Sequence, residues 1–216
     1  MRSYGQYCAV ARALDLIGDR WTLLIARELY LRGPSRYTDL RDGLPGIATN
    51  LLADRLRELE EAGLVAREAA PPPVAATLFS LTERGRELRP VLAALLQFGK
   101  PMMVDPPGDD VVRSYWFTFP AEQFLVDHAP AEPPVTIEVR TGDQPLVLET
   151  VDGRVRARPG TADEPDAVIA GEPHLVMGAL TGQLELADAK RRGLHYKGDP
   201  KALRRVRGFT PAAAQG

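Results

Sequence analysis

The 216-residue chain has a single cysteine, Cys8, so it can build neither an internal disulfide framework nor a multi-cysteine zinc site. Its three histidines, His128, His174 and His195, are scattered and suggest no metal-ligand cluster. No phosphate-binding glycine loop, nucleophile elbow or paired-carboxylate arrangement is present, so nothing in the chain reads as an enzyme or calls for a cofactor. No run approaches the roughly 18 apolar residues of a membrane span. Met1–Gly18 lacks the charged-then-apolar layout of a secretion signal. With 44% hydrophobic residues and charges of both signs, the expectation is a globular, cytoplasmic protein. Lysine is scarce beside arginine, while alanine and proline are abundant; this is the composition of a GC-rich genome.

Bulk positive charge is also missing, since the net charge is −2. It is unevenly spread. Residues 1–100 hold fourteen Lys and Arg against twelve Asp and Glu, a net +2, and residues 101–216 carry −4. Any affinity for nucleic acid must come from local placement of arginines in the first half.

What is there is organised around Gly46–Arg67, GIATNLLADRLRELEEAGLVAR. Leu52, Leu56 and Leu59 recur at steps of four and three and share one helix face, which Ile47 and Leu64 extend. The opposite face carries Thr49, Asn50, Ala53, Arg57 and Glu60. Gly63 suits the positive backbone angle that ends a helix, and Leu64–Val65 begins an extended run. Ahead lies Ser35–Leu44, with Leu40 and Leu44 at helical spacing, separated from the next helix by Pro45–Gly46. Behind lie two extended runs, Leu64–Glu68 and Thr77–Leu81, around a Pro71–Pro73 triplet that belongs in the loop between strands. This order predicts a helix-turn-helix followed by a β-hairpin wing. Thr82 can then cap another helix.

CAVARALDLIGDRW, RYTDL, GIATNLLADRLRELEEAGLVAR and LTERGREL, at these spacings, resemble the HxlR-type winged-helix transcriptional regulators over roughly the first half of the chain. The resemblance implies a homodimeric bacterial DNA-binding protein with a cysteine near its N-terminus, in which the first and last helices of the domain form the dimer. It places Arg36 close to the DNA backbone, where a guanidinium can fork two hydrogen bonds to phosphate; the alternative is a solvated arginine. Thr49 and Asn50 stand at the end of the recognition helix that points into the groove, with Ala53 one turn on. Arg55 and Arg57 can hold phosphates, or else pair within the helix, Arg55 with Glu58 and Arg57 with Glu60 or Glu61. In the wing, Arg67 and Thr77 are weaker candidates.

In chain order, Cys8–Ile17 is a first helix with Val10, Leu14 and Ile17 on one face. Asp19 can cap a second, Arg20–Leu31, whose Trp21 belongs to the core. Thr82–Lys100 is a long helix that Pro90 can kink, with an apolar stripe from Leu88 to Phe98 that serves a second subunit or the second domain. The domains expected are 1–100 for DNA binding and dimerisation, a proline- and acid-rich linker at 101–110, and a second domain at 111–210.

The second half reads as strands and then helices. Val111–Phe119, Val135–Arg140, Pro145–Val151, Arg154–Arg158 and Ala167–Ala170 are expected strands, with a hairpin turn at Asp152–Gly153. Glu172–Gly182, Leu184–Lys190 and Asp199–Val206 are expected helices, the last capped by Asp199 with Pro200 at its first position, and Leu194–Lys197 is a brief strand. Val147–Gly153, the Gly178–Gly182 region and GLHYKGDPKALRRV resemble a sterol-carrier-protein-like domain. That implies an antiparallel-type sheet covered by helices, with an apolar tunnel for a lipid-like or aromatic molecule. Candidate lining residues are Trp116, Phe117, Phe119, Phe124, Leu175, Met177 and Leu180; a solid core is the alternative. The fold class is therefore α+β in both halves.

The function expected is a homodimeric DNA-binding transcriptional regulator of the HxlR type, acting on an operator palindrome in double-stranded DNA and modulated by a small apolar effector in the second domain. The alternative is a redox regulator acting through Cys8, whose thiol at a helix start has a lowered pKa, with the second domain purely structural. Neither reading involves a membrane, a metal or a cofactor.

Overall fold

The leucines of the recognition segment are buried as their spacing requires: Leu52, Leu56 and Leu59 are each at most 3% exposed, and they join Ile25, Leu29, Leu40, Leu44, Leu64 and Phe79 in one core. The computed structural model describes residues 3–70, 76–103 and 105–208, and the chain divides into two units, Met1–Leu95 and Leu96–Gly216.

The first unit runs α1 (Ala9–Ile17), α2 (Thr22–Arg32), β1 (Ser35–Arg36), α3 (Tyr37–Asp42), α4 (Thr49–Glu61), β2 (Val65–Ala69), β3 (Thr77–Leu81), α5 (Glu83–Arg86) and α6 (Arg89–Gly99). Its sheet has the order β1-β3-β2, and β3 pairs antiparallel with both neighbours. The expected loop at Pro71–Pro73 lies outside the described residues. α4 ends as Gly63 demands. With φ at +70°, Gly63 lets its own N–H reach the Glu60 carbonyl and the Leu64 N–H reach the Leu59 carbonyl, at 3.0 and 2.9 Å. These two bonds satisfy the last helix carbonyls and turn the chain straight into the wing.

Three expectations in this unit need correction. Asp19 does not cap α2 with its side chain: the helix starts at Thr22, and the Asp19 carboxylate pairs with Arg55. The third helix starts at Tyr37, because Ser35 and Arg36 pair with Phe79 and Leu78 of β3. The long last helix is two helices. Thr82 caps the first by accepting the Gly85 N–H at 3.0 Å. Pro90 has no N–H to give the carbonyl of Arg86, so α5 stops and α6 restarts with proline in its first turn, where no donor is needed. Gly85 sits where no side chain fits, since a Cβ there would lie 2.0 Å from the Leu64 carbonyl oxygen.

The second unit continues with a 3-10 turn at Ser114–Phe117, α7 (Thr118–Phe124), β4 (Leu125–Asp127), β5 (Thr136–Thr141), β6 (Gln144–Val151), β7 (Arg154–Pro159), β8 (Ala167–Ala170), α8 (Pro173–Thr181), α9 (Leu186–Arg191), β9 (His195–Gly198), α10 (Pro200–Arg205) and β10 (Val206–Gly208). The sheet order is β10-β4-β7-β6-β5-β8-β9. Ile137, Val139, Leu146, Leu148, Val155 and Ile169 project from one face into a core shared with residues of α7, α8, α9 and α10. Asp152 and Gly153 both take positive φ, 50° and 73°, as a two-residue hairpin needs. Asp199 caps α10 by accepting the Lys201 N–H at 2.8 Å.

Here too the structure departs from expectation. Val111–Phe119 is not a strand. Ser114, Thr118, Ala121 and Leu125 are buried at steps of four, three and four, a helical period that the β-branched and aromatic composition concealed. The sheet is mixed, because β8 runs parallel to β5. The edge is closed by β4 and β10, both too short to show an alternating pattern. A buried ion pair fixes that edge. Arg205 donates through Nε to Asp127 Oδ1 at 2.7 Å and through Nη2 to Oδ2 at 3.1 Å, and it also donates to the carbonyls of Glu132 and Pro133.

Candidate nucleic-acid interface

α3 and α4 form the helix-turn-helix. Between them Leu44 and Ile47 are buried, and Gly46, at φ +85°, turns the chain. Tyr37 Oη donates to the Thr49 carbonyl at 2.5 Å and so ties the start of α3 to the start of α4. Tyr37 lies in the RYTDL segment, where nothing in the sequence marks its role. The family resemblance points to the arginine before it, whereas the tyrosine positions the helix. Asp19, read from the sequence as a cap for the second helix, instead pairs with Arg55.

Thr49, Asn50 and Ala53 are exposed on the first turns of α4, and their side chains have no partner among the described residues. Arg36 is exposed at the N-cap of α3. Its N–H donates to Asp39 Oδ2 at 3.0 Å, which holds the backbone and leaves the guanidinium free to project. Arg55 forms the ion-pair alternative: its side chain is only 21% exposed, and its guanidinium pairs with Glu58 at 2.6 Å and with Asp19. Arg57 stays exposed, but its partner is Asp54 at 2.8 Å, not Glu60 or Glu61. In the wing, Arg67 lies opposite Phe79 and rests its guanidinium 6.0 Å from that ring's centre, and Thr77 is half-buried opposite Ala69. The structure thus puts Thr49, Asn50, Ala53 and Arg57 on α4, Arg36 at the start of α3, and Arg67 and Thr77 on the adjoining hairpin.

The sequence of this unit is similar to known proteins. The family model for the HxlR-like helix-turn-helix aligns with residues 16–105. The HTH-type transcriptional regulator sll1512 of Synechocystis sp. is 40% identical over 95 residues, covering 44% of this chain and 70% of that protein. The chain belongs to the HxlR-like helix-turn-helix family. Another relative, the HTH-type transcriptional regulator YvaP of Bacillus subtilis, is 33% identical over 95 residues, or 44% of this chain and 86% of its own length. Among solved structures, the redox regulator HypR in its oxidized form is 34% identical, with a TM-score of 0.40 over 44% of this chain and 96% of that one. As an HxlR-type helix-turn-helix regulator the chain works by binding DNA and is not an enzyme.

The remaining candidate residues belong to other elements. Cys8 is exposed at the N-cap of α1, and its thiol is held below the usual cysteine range by the N–H groups of Ala11 and then Val10. In the second unit, Phe117, Met177 and Leu180 line a crevice of about 10 Å³ in the core. Leu175 and Phe119 are buried in packing, while Trp116 and Phe124 are half-buried, and none of these four lines the crevice. That volume holds about one water molecule. The open lipid-sized tunnel implied by the sterol-carrier resemblance is therefore absent among the described residues at this position; the side chains fill the space between sheet and helices. No helix among the described residues is long and apolar enough to cross a membrane.

Proposed function

We propose that this HxlR-type protein binds an imperfect DNA palindrome as a homodimer and that its second unit takes a small effector that tunes the binding. The observation that carries the DNA reading is the free first turn of α4, with Thr49 and Asn50 exposed, unpartnered and held in place by Tyr37. Asn50 can pair with an adenine edge, Thr49 with a base or phosphate, and Arg36, Arg57 and the wing residues Arg67 and Thr77 with the backbone. Arg55 ties α4 to the turn between α1 and α2, since its charge is already met by Asp19 there and by Glu58. Half-sites about one helical turn, on the order of 10 base pairs, apart suit one recognition helix per subunit.

The dimer reading rests on apolar side chains left in solvent. Val10 and Leu14 on α1 are 67% and 43% exposed, and Val91, Leu95 and Phe98 form an exposed stripe on α6. Helices with such faces need a covering surface, and a second copy supplies one.

The effector reading keeps the sterol-carrier-like expectation in part, as a sheet with helices on one face. With the core filled, an apolar effector would have to part α7 and α8 around Phe117, Met177 and Leu180. The test is selection of bound sequences from random duplex DNA, followed by gel shifts with and without added compounds. A monomer on a single half-site would end the dimer reading.

A second reading is favoured by one observation, the exposed low-pKa thiol of Cys8. It makes the protein a thiol-based sensor that joins subunits when oxidised. Treatment with diamide should then yield an intersubunit disulfide on a non-reducing gel and a changed DNA affinity. Neither change appears if Cys8 is only a small surface residue.

A further inference from the structure

The charge of the second unit is segregated along the chain. The fifteen residues Lys190–Arg204 hold six Lys and Arg against one carboxylate, that of Asp199, a net +5, whereas the rest of residues 101–216 carries −9. The segment runs from the last turn of α9 through β9 to α10, and β9 is an outer strand of the sheet, bonded only to β8.

Little of this charge is neutralised. Arg191 pairs with Asp188. Lys190, Arg192, Lys197, Lys201 and Arg204 are exposed and have no ion-pair partner among the described residues. The one carboxylate is already engaged, since Asp199 accepts the Lys201 N–H at 2.8 Å as the cap of α10.

The cations also meet in space, around Tyr196. Lys190 Nζ lies 5.6 Å from the centre of that ring, and Tyr196 Oη donates to the Asp199 carbonyl at 2.7 Å. Burial chiefly raises the Tyr196 phenol above its ordinary range, and the positive charge of Arg204 draws it partly back. Lys190 and Arg204 therefore stand near one ring from two different helices. Lys201 and Arg204, three residues apart, share the exposed face of α10, while Ala202 and Leu203 between them are buried.

Local stability explains part of this set. Cations suit the last turn of a helix, as Lys190 and Arg204 do, and a lysine such as Lys197 guards a sheet edge. It does not explain Lys201, which stands in the first turn of α10, where a cation opposes the helix dipole. A polyanion is the partner that such a face complements. A lipid surface fits poorly, because no large apolar side chain from Leu186 to Gly208 is left exposed to enter it. Duplex DNA fits well. Residues 1–100 carry only +2, and Arg55 and Arg57 are already paired, so the first unit alone brings few free cations to the phosphates.

We propose that the α9–β9–α10 face is a second DNA contact, in which Lys190, Lys201 and Arg204 hold the phosphate backbone without reading bases. It rests on the reading of the chain as a duplex-DNA binder.

The test is fluorescence anisotropy of the full chain on a labelled duplex carrying the palindrome that wild type selects and on a scrambled duplex, over salt from about 50 to 200 mM. Two variants remove the same charge from different places: Lys201→Gln with Arg204→Gln on α10, and Arg154→Gln with Arg156→Gln at exposed positions of β7. The α10 pair should weaken binding to both duplexes alike and flatten the plot of log affinity against log salt by about 0.9 per lost contact, about 1.8 per bound subunit. The β7 pair should keep the wild-type slope. Lys190→Gln, on another helix, should flatten the slope by about 0.9 by itself, so the outcome does not hang on the folding of α10. A wild-type slope in both the α10 pair and Lys190→Gln, an equal fall in the α10 and β7 pairs, or a loss confined to binding of phosphatidylserine vesicles would overturn the proposal. The two duplexes separate it from the reading of α4. If wild type holds the palindrome no more tightly than the scrambled duplex, base reading by α4 fails, and the slope on the scrambled duplex still decides the basic face. If wild type discriminates and the α10 pair and Lys190→Gln change nothing, the basic face alone fails.

Discussion

Asp127→Asn should unfold the second unit far more readily than any surface change. In the native unit the Asp127 and Arg205 side chains are 1% and 7% exposed. The substitution leaves a guanidinium in the interior with no counter-charge, facing one amide oxygen in place of two carboxylate oxygens, beside the backbone carbonyls of Glu132 and Pro133 and, at 3.4 Å, the Thr150 hydroxyl. Breaking one partner of a buried pair costs about 3–5 kcal/mol. For the roughly 120 residues of Leu96–Gly216, an unfolding entropy near 2.1 cal/mol/K per residue converts that to a fall in Tm of about 12–20 °C. The two tryptophans make the assay selective: Trp21 is in the first unit and Trp116 in the second. In a Trp21→Phe background, Trp116 emission on heating follows the second unit alone. The pH dependence carries the same signature. The Arg205 hydrogen bonds hold the Asp127 carboxyl below the usual carboxylate range. A carboxyl depressed by folding stabilises fully above its unfolded value of about 3.9, and that contribution is lost as pH falls through the folded value. Wild type should therefore lose Tm on acidification below about pH 4, and Asp127→Asn should lose less over that range. A drop under about 4 °C at neutral pH, corresponding to about 1 kcal/mol, would refute the reasoning and place the pair in water.

Gly85→Ala should destabilise the first unit by about 1–3 kcal/mol or more, because its Cβ meets the Leu64 carbonyl, which is backbone and cannot swing aside; Trp21 emission in a Trp116→Phe background reports it. Leu14→Glu with Leu95→Glu should yield monomers in sedimentation velocity and leave the circular dichroism unchanged, since both positions are solvent-exposed in the single chain. Cys8→Ser should bind DNA as wild type does under reducing conditions and abolish any response to diamide, because the thiol is exposed at the start of α1 and belongs to neither helix of the motif.

The recognition helix was legible because two signals agreed. The leucine stripe fixed its buried face, and Gly63 fixed its end. The wing was legible from two extended runs that pair residue for residue, Val65 with Leu81 through Ala69 with Thr77. Short elements were not. β4 and β10 span three residues each, too few for periodicity, and they are held by Arg205 across 78 residues of sequence. At Val111–Phe119, local composition favoured a strand while burial against the sheet selected the 3-10 turn and the start of α7, an override by tertiary packing. For the site, the exposed polar residues of α4 could be named from their face, but whether an arginine is free or paired depends on what stands opposite. Asp19 decides that for Arg55, from 36 residues away.

The central claim is that the first turn of α4 reads base sequence. The direct measurement is in vitro selection from random duplex DNA by the full chain, run in parallel for wild type, Asn50→Ala and Arg36→Ala, with each bound pool sequenced. Wild type should enrich an imperfect palindrome. Asn50→Ala should relax preference at one position of each half-site, by about 1–3 kcal/mol for a bidentate contact. Arg36→Ala should enrich the same sequence while binding more weakly and with a flatter salt dependence. If no sequence is enriched, or if the Asn50→Ala pool matches wild type at every position, α4 is not the reading element and the account fails.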